Sequence, residues 1–431
     1  MDNRKFKQTE IGEIPVDWEV KELGKYASIV RGGSPRPIQD YITTNANGIN
    51  WIKIGDVKPE EKYIVSTEEK IIPEGKVHSR EVKAGDFILS NSMSFGRPYI
   101  LKIDGCIHDG WLAIQSYQET FDIDFLYYLL GSDEIFTQYI AMAAGSSVQN
   151  LNKEKVSKLI IPLPPTLAEQ QRIAKALSDV DNVIATLEKL IQKKKNIKQG
   201  AMQELLTGKK RLPGFAKSTA YKHTELGEIP EDWEVKSLGD CLKDMSDGPF
   251  GSNLKTEHYT SKREARIIQL SNVGEDAWNN DNVKYTTFSH ANTISRCIVP
   301  YGAVVIAKMM PAGRSIICPD DEPMYILGSD CVKFIPNENL IPEYFVYYSK
   351  GALYLNQINE NTQGSTRART SVSKLRKILL VCPSRNEQSA IAKVLSDMDK
   401  EIDSLNKKLQ KYRQLKTAMM QQLLTGKIRL A

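Results

Sequence analysis

The chain contains two copies of one sequence pattern, and this duplication constrains its fold more than any other feature. Residues 9–26 and 224–241 are identical at 13 of 18 positions, and residues 169–212 and 387–430 at 24 of 44 positions without a gap. Offsets of 215 and 218 residues correspond to whole domains, because solenoid repeats are only about 20 to 50 residues long. The sequence therefore predicts two homologous units, each a divergent block followed by a nearly constant one.

The composition is that of a globular protein that has enough chain for two cores. Of its 431 residues, 41% are hydrophobic and 26% are charged. It has no run of 18 apolar residues and a polar N-terminus, so we expect a cytoplasmic protein without a membrane span or secretory signal. The six cysteines form no CxxC pair and the five histidines show no metal-ligand spacing, which predicts free thiols and no metal site.

The nearly constant blocks are predicted to be long helices. Thr166 and Ser384 each precede a glutamate by three residues, which fits a capping box, and Gly208 and Gly426 can take the left-handed conformation that ends a helix. About 40 residues between these signals correspond to a rod of roughly 60 Å. In both blocks apolar residues recur in steps of three and four: Ile173, Leu177, Val180, Ile184, Leu187 and Ile191, then Ile391, Leu395, Met398, Ile402, Leu405, Leu409, Tyr412, Met419 and Leu423.

A period of 3.5 residues is typical of a coiled-coil seam. We therefore expect the two helices to pair with each other. Because a whole globular block joins them, the pairing can be antiparallel about a pseudo-twofold axis. The alternative is two separate helices, each packed on its own globular block.

The divergent blocks, residues 27–160 and 242–382, share a pattern more than a literal sequence. Short Val- and Ile-rich runs interrupted by Gly, Pro and Asn predict strands of a mixed sheet. Residues 125–143 and 344–358 each predict a single helix. The segments that align are 53–57 with 269–273, 82–90 with 299–307, and 145–147 with 364–366. The fold class that follows is α+β, with two homologous mixed α/β domains separated by a long two-helix antiparallel coiled coil.

The net positive charge of the chain comes from the helical blocks. Residues 167–212 and 385–430 each carry a net charge of +5, so the rest of the chain carries −5 although the whole chain is +5. A sequence pI of 8.6 is therefore weak support for DNA binding, and a basic face on the globular blocks has to be local.

Loops rich in Gly, Ser, Asn and basic residues occur at equivalent places in both blocks. Such side chains hold phosphates or read base edges, and glycine lets the backbone approach closely. In the first block the candidate binding residues are Arg31, Ser34, Arg36, Ser92, Ser94, Arg97, Ser146, Ser147, Gln149 and Asn150. In the second they are Ser252, Asn253, Lys255, Lys308, Arg314, Ser365, Thr366, Arg367 and Arg369. The alternative for each loop is an ordinary solvated turn.

No catalytic motif is apparent. The segment 206–209 (LTGK) lacks the first glycine of a nucleotide-binding loop, and the segment 162–165 (PLPP) fits an extended linker better than a methyltransferase motif. Asp320 and Asp321 do not form a two-metal nuclease pattern. The chain is therefore predicted not to be an enzyme.

The ordered combination of motifs resembles the specificity subunits of type I restriction–modification systems, over the full chain. The matching segments are residues 12–18 (GEIPVDW), 164–170 (PPTLAEQ) and 205–209 (LLTGK), with 227–233, 387–388 and 423–427 in the second half. One departure is the segment 382–384 (CPS), where the second junction lacks the doubled proline.

This resemblance implies a non-catalytic subunit whose two target-recognition domains each read one half of a bipartite, asymmetric site in double-stranded DNA. The helices would dock two modification subunits, which methylate adenine N6 with S-adenosylmethionine, and two motor-nuclease restriction subunits could join them. No cofactor is expected in this chain. The implied boundaries are 1–162 and 224–383 for the recognition domains, 163–212 and 384–431 for the helices, and 213–223 for a linker.

Two other functions are compatible with some of these features. A coiled-coil scaffold whose end domains bind proteins would need no DNA contact, and its binding would lack the steep salt dependence of phosphate contacts. A fused restriction enzyme would need catalytic motifs, which the sequence does not show.

Overall fold

The computed structural model describes residues 5–59, 61–91, 96–143, 151–309, 311–362 and 369–430, and the chain divides into two compact units. Unit 1 comprises residues 1–188 and 407–431, and unit 2 comprises residues 189–406. Each unit therefore combines one globular block with the first part of one long helix and the last part of the other. The sequence copies and the compact units do not coincide.

Unit 1 is built on two five-stranded sheets. Its strands are β1 (Phe6–Thr9), β2 (Gly12–Pro15), β3 (Glu19–Glu22), β4 (Ser28–Arg31), β5 (Ile42–Thr43), β6 (Ile49–Ile52), β7 (Tyr63–Ile64), β8 (Glu69–Ile71), β9 (Arg80–Val82), β10 (Phe87–Ser90), β11 (Pro98–Leu101), β12 (Gly105–Ile107), β13 (Trp111–Gln115) and β14 (Ile160–Leu163). The two sheets have the orders β4-β13-β10-β11-β7 and β5-β8-β6-β12-β9. Both sheets contain parallel and antiparallel pairs. β1 pairs with β2, and β3 pairs with β14 at the junction to the long helix.

The helices of unit 1 correct one prediction. They are α1 (Ile123–Leu130), α2 (Asp133–Ala143), α3 (Lys153–Ser157) and the first part of α4 (Leu167–Leu205). The single helix predicted over residues 125–143 is therefore wrong. The chain breaks at Gly131, and the Ser132 hydroxyl accepts a hydrogen bond from the Ile135 amide at 3.3 Å, which starts a second helix.

Unit 2 repeats the sheet plan of unit 1. Its strands are β15 (Tyr221–Thr224), β16 (Gly227–Pro230), β17 (Glu234–Ser237), β18 (Leu242–Asp247), β19 (Tyr259–Thr260), β20 (Ala265–Ile268), β21 (Tyr285–Thr286), β22 (Ile298–Val299), β23 (Val304–Ala307), β24 (Ser315–Ile317), β25 (Met324–Leu327), β26 (Cys331–Pro336) and β27 (Leu379–Cys382). The sheet orders are β18-β26-β23-β24 and β19-β21-β20-β25-β22, which match those of unit 1 strand for strand except for β7. The predicted mixed α+β fold, present in two homologous copies, is confirmed.

The helices of unit 2 are α5 (Phe288–Thr293), α6 (Pro342–Tyr348), α7 (Ala352–Thr362), α8 (Val372–Arg376) and the first part of α9 (Arg385–Leu423). The single helix predicted over residues 344–358 is also wrong, because the chain breaks between α6 and α7 at Gly351. The same break in both copies gives each block a helical hairpin that packs on its sheet through buried aromatic residues, including Phe125, Tyr139, Phe345 and Tyr354.

The ends of α4 and α9 agree with the sequence signals in part. Thr166 and Ser384 accept hydrogen bonds from the Glu169 and Glu387 amides, at 3.2 and 3.4 Å. The glutamate half of the predicted capping box is wrong, because the Glu169 carboxylate accepts two hydrogen bonds from Arg429, each at 2.6 Å. Gly208 and Gly426 have φ values of +74° and +69°, as expected for left-handed helix ends.

The two long helices contact each other inside each unit. In unit 1, Asp181 pairs with Lys416 and Glu188 with Arg413, both at 2.7 Å. Unit 2 contains two further pairs: Lys194 with Glu401 at 2.6 Å, and Lys198 with Asp399 at 2.5 Å. In both units the residue number rises along one helix as it falls along the other.

The core of each unit includes side chains from both sequence copies. Leu423 and Leu424, at the end of α9, are buried with Trp18 and Leu177 in unit 1. Met202, Leu205 and Leu206, at the end of α4, are buried with Trp233 and Leu395 in unit 2. Each globular block is therefore completed by the end of the other copy's helix.

Candidate nucleic-acid interface

The predicted binding loops lie on the same backbone frame in both units. After β10, the Ser90 amide bonds to the Arg97 carbonyl at 3.2 Å; after β23, the Ala307 amide bonds to the Arg314 carbonyl at 2.9 Å. The glycines before these arginines have φ values of +83° and +86°, a conformation that side chains with a Cβ rarely adopt. Arg97 and Arg314 are therefore structurally equivalent.

A second equivalence fixes the loops that follow β4 and β18. The Gly32 amide donates to Trp111 O at 2.9 Å, and the Gly248 amide to Cys331 O at 3.0 Å. The carbonyl of His108 in unit 1, and that of Gly328 in unit 2, occupy the space that a Cβ would need at these glycines. Only glycine permits this approach of two loops.

A third equivalence ties together the loops that carry the predicted binding residues. The Asn91 amide donates to Gly110 O at 3.0 Å, and Asn91 O accepts from the Leu151 amide at 2.9 Å. In unit 2, Lys308 bonds in the same way to Asp330 O and the Thr370 amide, both at 2.9 Å. Asn91 and Lys308 thus anchor equivalent loops, but the first has a neutral amide side chain and the second a charged amine.

In unit 1 the polar side chains gather around Asp109. Its carboxylate accepts from Ser34 Oγ at 3.0 Å and lies 3.0 Å from His108 Nε2 and 3.6 Å from Arg36 Nη2. Its backbone carbonyl accepts from Asn91 Nδ2 at 2.9 Å and Arg31 Nε at 3.4 Å. The guanidinium groups of Arg31 and Arg36 are therefore exposed beside one acid, which orients them without neutralising both.

In unit 2 the equivalent surface carries different pairs. Lys308 is buried, and its Nζ lies 2.7 Å from Asp247 Oδ1, so it forms an ion pair within the protein. Arg369 lies 3.7 Å from the Asp330 carboxylate and stays half exposed. Arg314 Nε donates to Pro311 O at 3.0 Å, which fixes the guanidinium, and its two Nη groups make no hydrogen bond to another residue that the structure describes.

A separate loop of unit 2 carries three of the predicted residues, Ser252, Asn253 and Lys255, and all three are exposed. The Asn253 carbonyl lies 2.9 Å from His290 Nε2, and the His290 ring stacks on His258 with centroids 4.0 Å apart. These contacts hold the loop against the second sheet.

The structure locates only part of the predicted set. Nine predicted residues lie outside the described residues: Ser92, Ser94, Ser146, Ser147, Gln149, Asn150, Ser365, Thr366 and Arg367. Assignment of any of the nineteen residues to DNA stays a prediction.

Sequence reasoning missed a further turn at this surface. The aligned segments 53–57 and 269–273 form short helical turns after β6 and β20, closed by bonds from the Lys53 amide to Asp56 Oδ2 at 2.6 Å and from the Gln269 amide to Asn272 Oδ1 at 2.8 Å. Their alignment was visible in the sequence, but nothing in it showed that Gln269 would lie in the same cavity as Arg314.

The cysteine beside the unit 2 loops is not activated as a nucleophile. Burial raises the pKa of the Cys331 thiol, beside the unit 2 loops, to about 12, so it remains protonated at neutral pH. Among the described residues, no three His, Cys, Asp or Glu side chains are grouped so that they could hold a metal ion. In the same part of the chain, no helix combines the length and apolar composition needed to cross a bilayer.

Comparison with known proteins agrees with the duplicated fold. A family model for the type I restriction modification DNA specificity domain matches residues 15–199 and 230–414. The MjaVIII type I restriction enzyme specificity subunit of Methanocaldococcus jannaschii is 27% identical and covers 98% of this chain and 96% of its own length.

Two solved structures are similar in fold. A chain from a type I restriction–modification system has a TM-score of 0.60 at 18% identity, covering 96% of this chain and 99% of that one. The specificity subunit from M. genitalium has a TM-score of 0.55 at 16% identity, covering 97% and 98%.

Proposed function

This chain belongs to the family of type I restriction–modification DNA specificity subunits, and we propose that each of its two globular blocks reads one half of a bipartite, asymmetric site in double-stranded DNA. A specificity subunit is the non-catalytic component of such a system. The observation that carries the proposal is the pair of equivalent loop frames with different side chains. Loops with the same backbone hydrogen bonds in both units can approach the two half-sites of one duplex in the same way. Different side chains on these loops can bind different base sequences.

The differences at equivalent positions are large enough to change base preference. Arg97 and Arg314 are conserved between the frames, but Asn91 is replaced by Lys308 and Gly110 by Asp330. Asn91 and Lys308 are buried and bonded inside the protein, so the difference reaches the surface through the exposed groups beside them, which are Arg31 and Arg36 in unit 1 and Arg369 in unit 2. Two blocks that read DNA with differently placed donors would prefer different base pairs.

The long helices suit a spacer and docking role. We propose that α4 and α9 form one antiparallel coiled coil about a pseudo-twofold axis, and the ion pairs found in each unit support this pairing. The similar surfaces of the two helices would dock two identical modification subunits, in which S-adenosylmethionine methylates adenine N6. Two restriction subunits would join the same complex in the cytoplasm, where the DNA is.

The decisive experiment expresses this chain with the modification subunit of its own system and maps N6-methyladenine by long-read sequencing. A single bipartite motif with two different halves is the expected result. A methylated palindrome, or a motif that does not depend on this chain, would contradict the proposal.

A DNA-binding titration separates this function from the alternative of a protein-binding scaffold. Affinity of the assembled complex for the mapped site should fall steeply as salt rises, because phosphate contacts release counterions. A complex that methylates DNA equally well without this chain would instead favour the scaffold.

A further inference from the structure

A cavity of about 460 Å³ opens in unit 2 where several loops meet. Its polar wall is formed by Gln269, Ser271, Arg314, Ser329 and Asp330. These residues come from the turn after β20, the loop after β23 and the loop before β26. Only Arg314 was a candidate from the sequence, so the cavity adds a binding surface that sequence reasoning did not assign.

The Gln269 side chain is held in one orientation at this wall. Its Oε1 accepts from Asn282 Nδ2 at 2.8 Å, while its backbone amide is bound by Asn272. The two N–H donors of the Gln269 amide make no hydrogen bond to another described residue. Gln269 therefore presents donors to whatever enters the cavity.

The partner of Gln269 is itself fixed by the fold. Asn282 has a φ of +57°, a left-handed conformation that asparagine tolerates better than most residues. The fully buried Asn272 amide donates to the carbonyls of Asn279 and Asp281, at 2.9 and 3.0 Å, and so clamps the loop that carries Asn282. Little conformational entropy is then lost when Gln269 binds a ligand.

Arg314 adds a second fixed donor. Its Nε donates to Pro311 O at 3.0 Å, which leaves the two Nη groups to bind in parallel. The nearby acceptor, the Asp330 carboxylate, is already paired with Arg369 at 3.7 Å. Donors therefore dominate the chemistry that the cavity presents.

We propose that this cavity is the base-reading pocket of the second block and that it takes the major-groove edge of a guanine. Guanine offers two acceptors there, O6 and N7, which match the parallel Nη donors of Arg314, whereas adenine and cytosine each present a donor. The Gln269 amide donates to an acceptor on the same or the adjacent base pair. This inference rests on the proposed function, because it assigns a ligand to the same DNA-reading surface.

The test uses the full chain with its modification subunit and reads the methylated motif. Arg314→Ala should relax one guanine position in a single half-site and weaken binding to the cognate site about 5- to 150-fold. Gln269→Ala should relax the same or the adjacent position, because it removes the side-chain donors. The turn itself should be kept, since the bond from the Gln269 backbone amide to Asn272 does not depend on the side chain. Gln269→Glu, which replaces a donor by an acceptor, should disfavour guanine further.

The matched control is Arg376→Ala, an exposed arginine of the same block that does not line the cavity, and it should leave the motif unchanged. Thermal melting of each variant checks the fold. If Arg314→Ala proves unfolded, the motif methylated by the nearly isosteric Gln269→Glu variant decides whether the pocket reads a base.

The outcomes distinguish the pocket from the general function. A wild-type complex without a bipartite motif would overturn the proposed function. A normal wild-type motif, together with folded pocket variants that keep it or that weaken all sequences equally, would overturn only the pocket.

Discussion

Arg211 forms a two-point ion pair with Glu387, from Nε to Oε1 at 2.6 Å and from Nη2 to Oε2 at 2.8 Å, across 176 residues of chain. Trp233 Nε1 donates to the same carboxylate at 3.0 Å. Asp232 also binds Arg211, and this hydrogen bond lowers the pKa of the Asp232 carboxyl. Parallel N–H···O bonds from a guanidinium are among the strongest hydrogen bonds in proteins. Arg211, six residues after the end of α4 at Leu205, therefore fastens the first turn of α9.

The same arrangement occurs in unit 1, where Arg429 binds Glu169 and Asp17. Its burial differs, because the Arg211 side chain is 9% exposed and the Arg429 side chain is 30% exposed. Glu387→Ala should destabilise the protein by about 1.5–3 kcal/mol, since it removes the charged acceptor of the Arg211 and Trp233 hydrogen bonds and leaves Arg211 its pair with Asp232. Glu169→Ala should destabilise it by less, because Arg429 is more exposed.

Chemical denaturation followed by circular dichroism measures both variants. The control is Asp397→Ala, which removes exposed pairs with Lys393 and Lys400 and should hardly move the midpoint, because solvent screens exposed ion pairs. Equal midpoints for Glu387→Ala and Asp397→Ala would show that the buried pair does not stabilise the fold.

The proposed pairing of the long helices predicts a large effect at its apolar seam. Replacing Leu405 and Leu409 together by Asp should lower stability by several kcal/mol, because charge would be buried between the helices. Leu415→Asp is the control on the same helix, since Leu415 is exposed and Leu409 is buried. If the melting temperatures of the double variant and the control fall alike, the seam is not where the sequence places it.

Independent reading by the two blocks predicts modular specificity. Exchange of residues 242–382 for the corresponding block of a relative should change one half of the methylated motif and preserve the other. The reciprocal exchange of residues 27–160 should change the opposite half. A simultaneous change in both halves after either exchange would show that the blocks do not read DNA separately.

The close approach of two loops in each unit predicts that Gly32 and Gly248 are needed for full stability. Gly32→Ala and Gly248→Ala should each cost about 1–3 kcal/mol, because the added Cβ would overlap a backbone carbonyl, that of His108 or that of Gly328. Gly200→Ala on α4 is the control: nothing lies near its Cβ position, so it should stabilise the helix by up to about 1 kcal/mol. Unfolding free energies decide, and a neutral Gly248→Ala would disprove the close approach.

Arg369 is expected to contact a base in the second half-site. Its side chain is half exposed beside Asp330, next to the undescribed segment that contains the predicted residue Arg367. Arg369→Ala should cost about 1–3 kcal/mol on the cognate site and relax one position of the motif. Uniform weakening of all sequences with a shallower salt dependence would identify a phosphate contact instead, and Arg376→Ala again provides the comparison.

The sequence by itself determined the duplication, the mixed α+β class and the two long helices. These properties depend on local information: identity between copies, apolar periodicity, and residues such as Gly208 and Gly426 whose backbone conformation is decided within one helical turn. The helices predicted over residues 125–143 and 344–358 were too long, because apolar periodicity continues across a break that Gly131 or Gly351 makes possible.

Only the tertiary structure decided how the copies combine. The pairing of Glu387 with Arg211, the burial of Lys308 against Asp247, and the meeting of Gln269 with Arg314 join residues far apart in the chain. No local pattern encodes such contacts, since they depend on which strands and helices pack together. A glutamate that fits a capping box in sequence therefore binds an arginine from the other copy in the fold, because a buried carboxylate is stabilised more by a paired guanidinium than by a single helix-end amide.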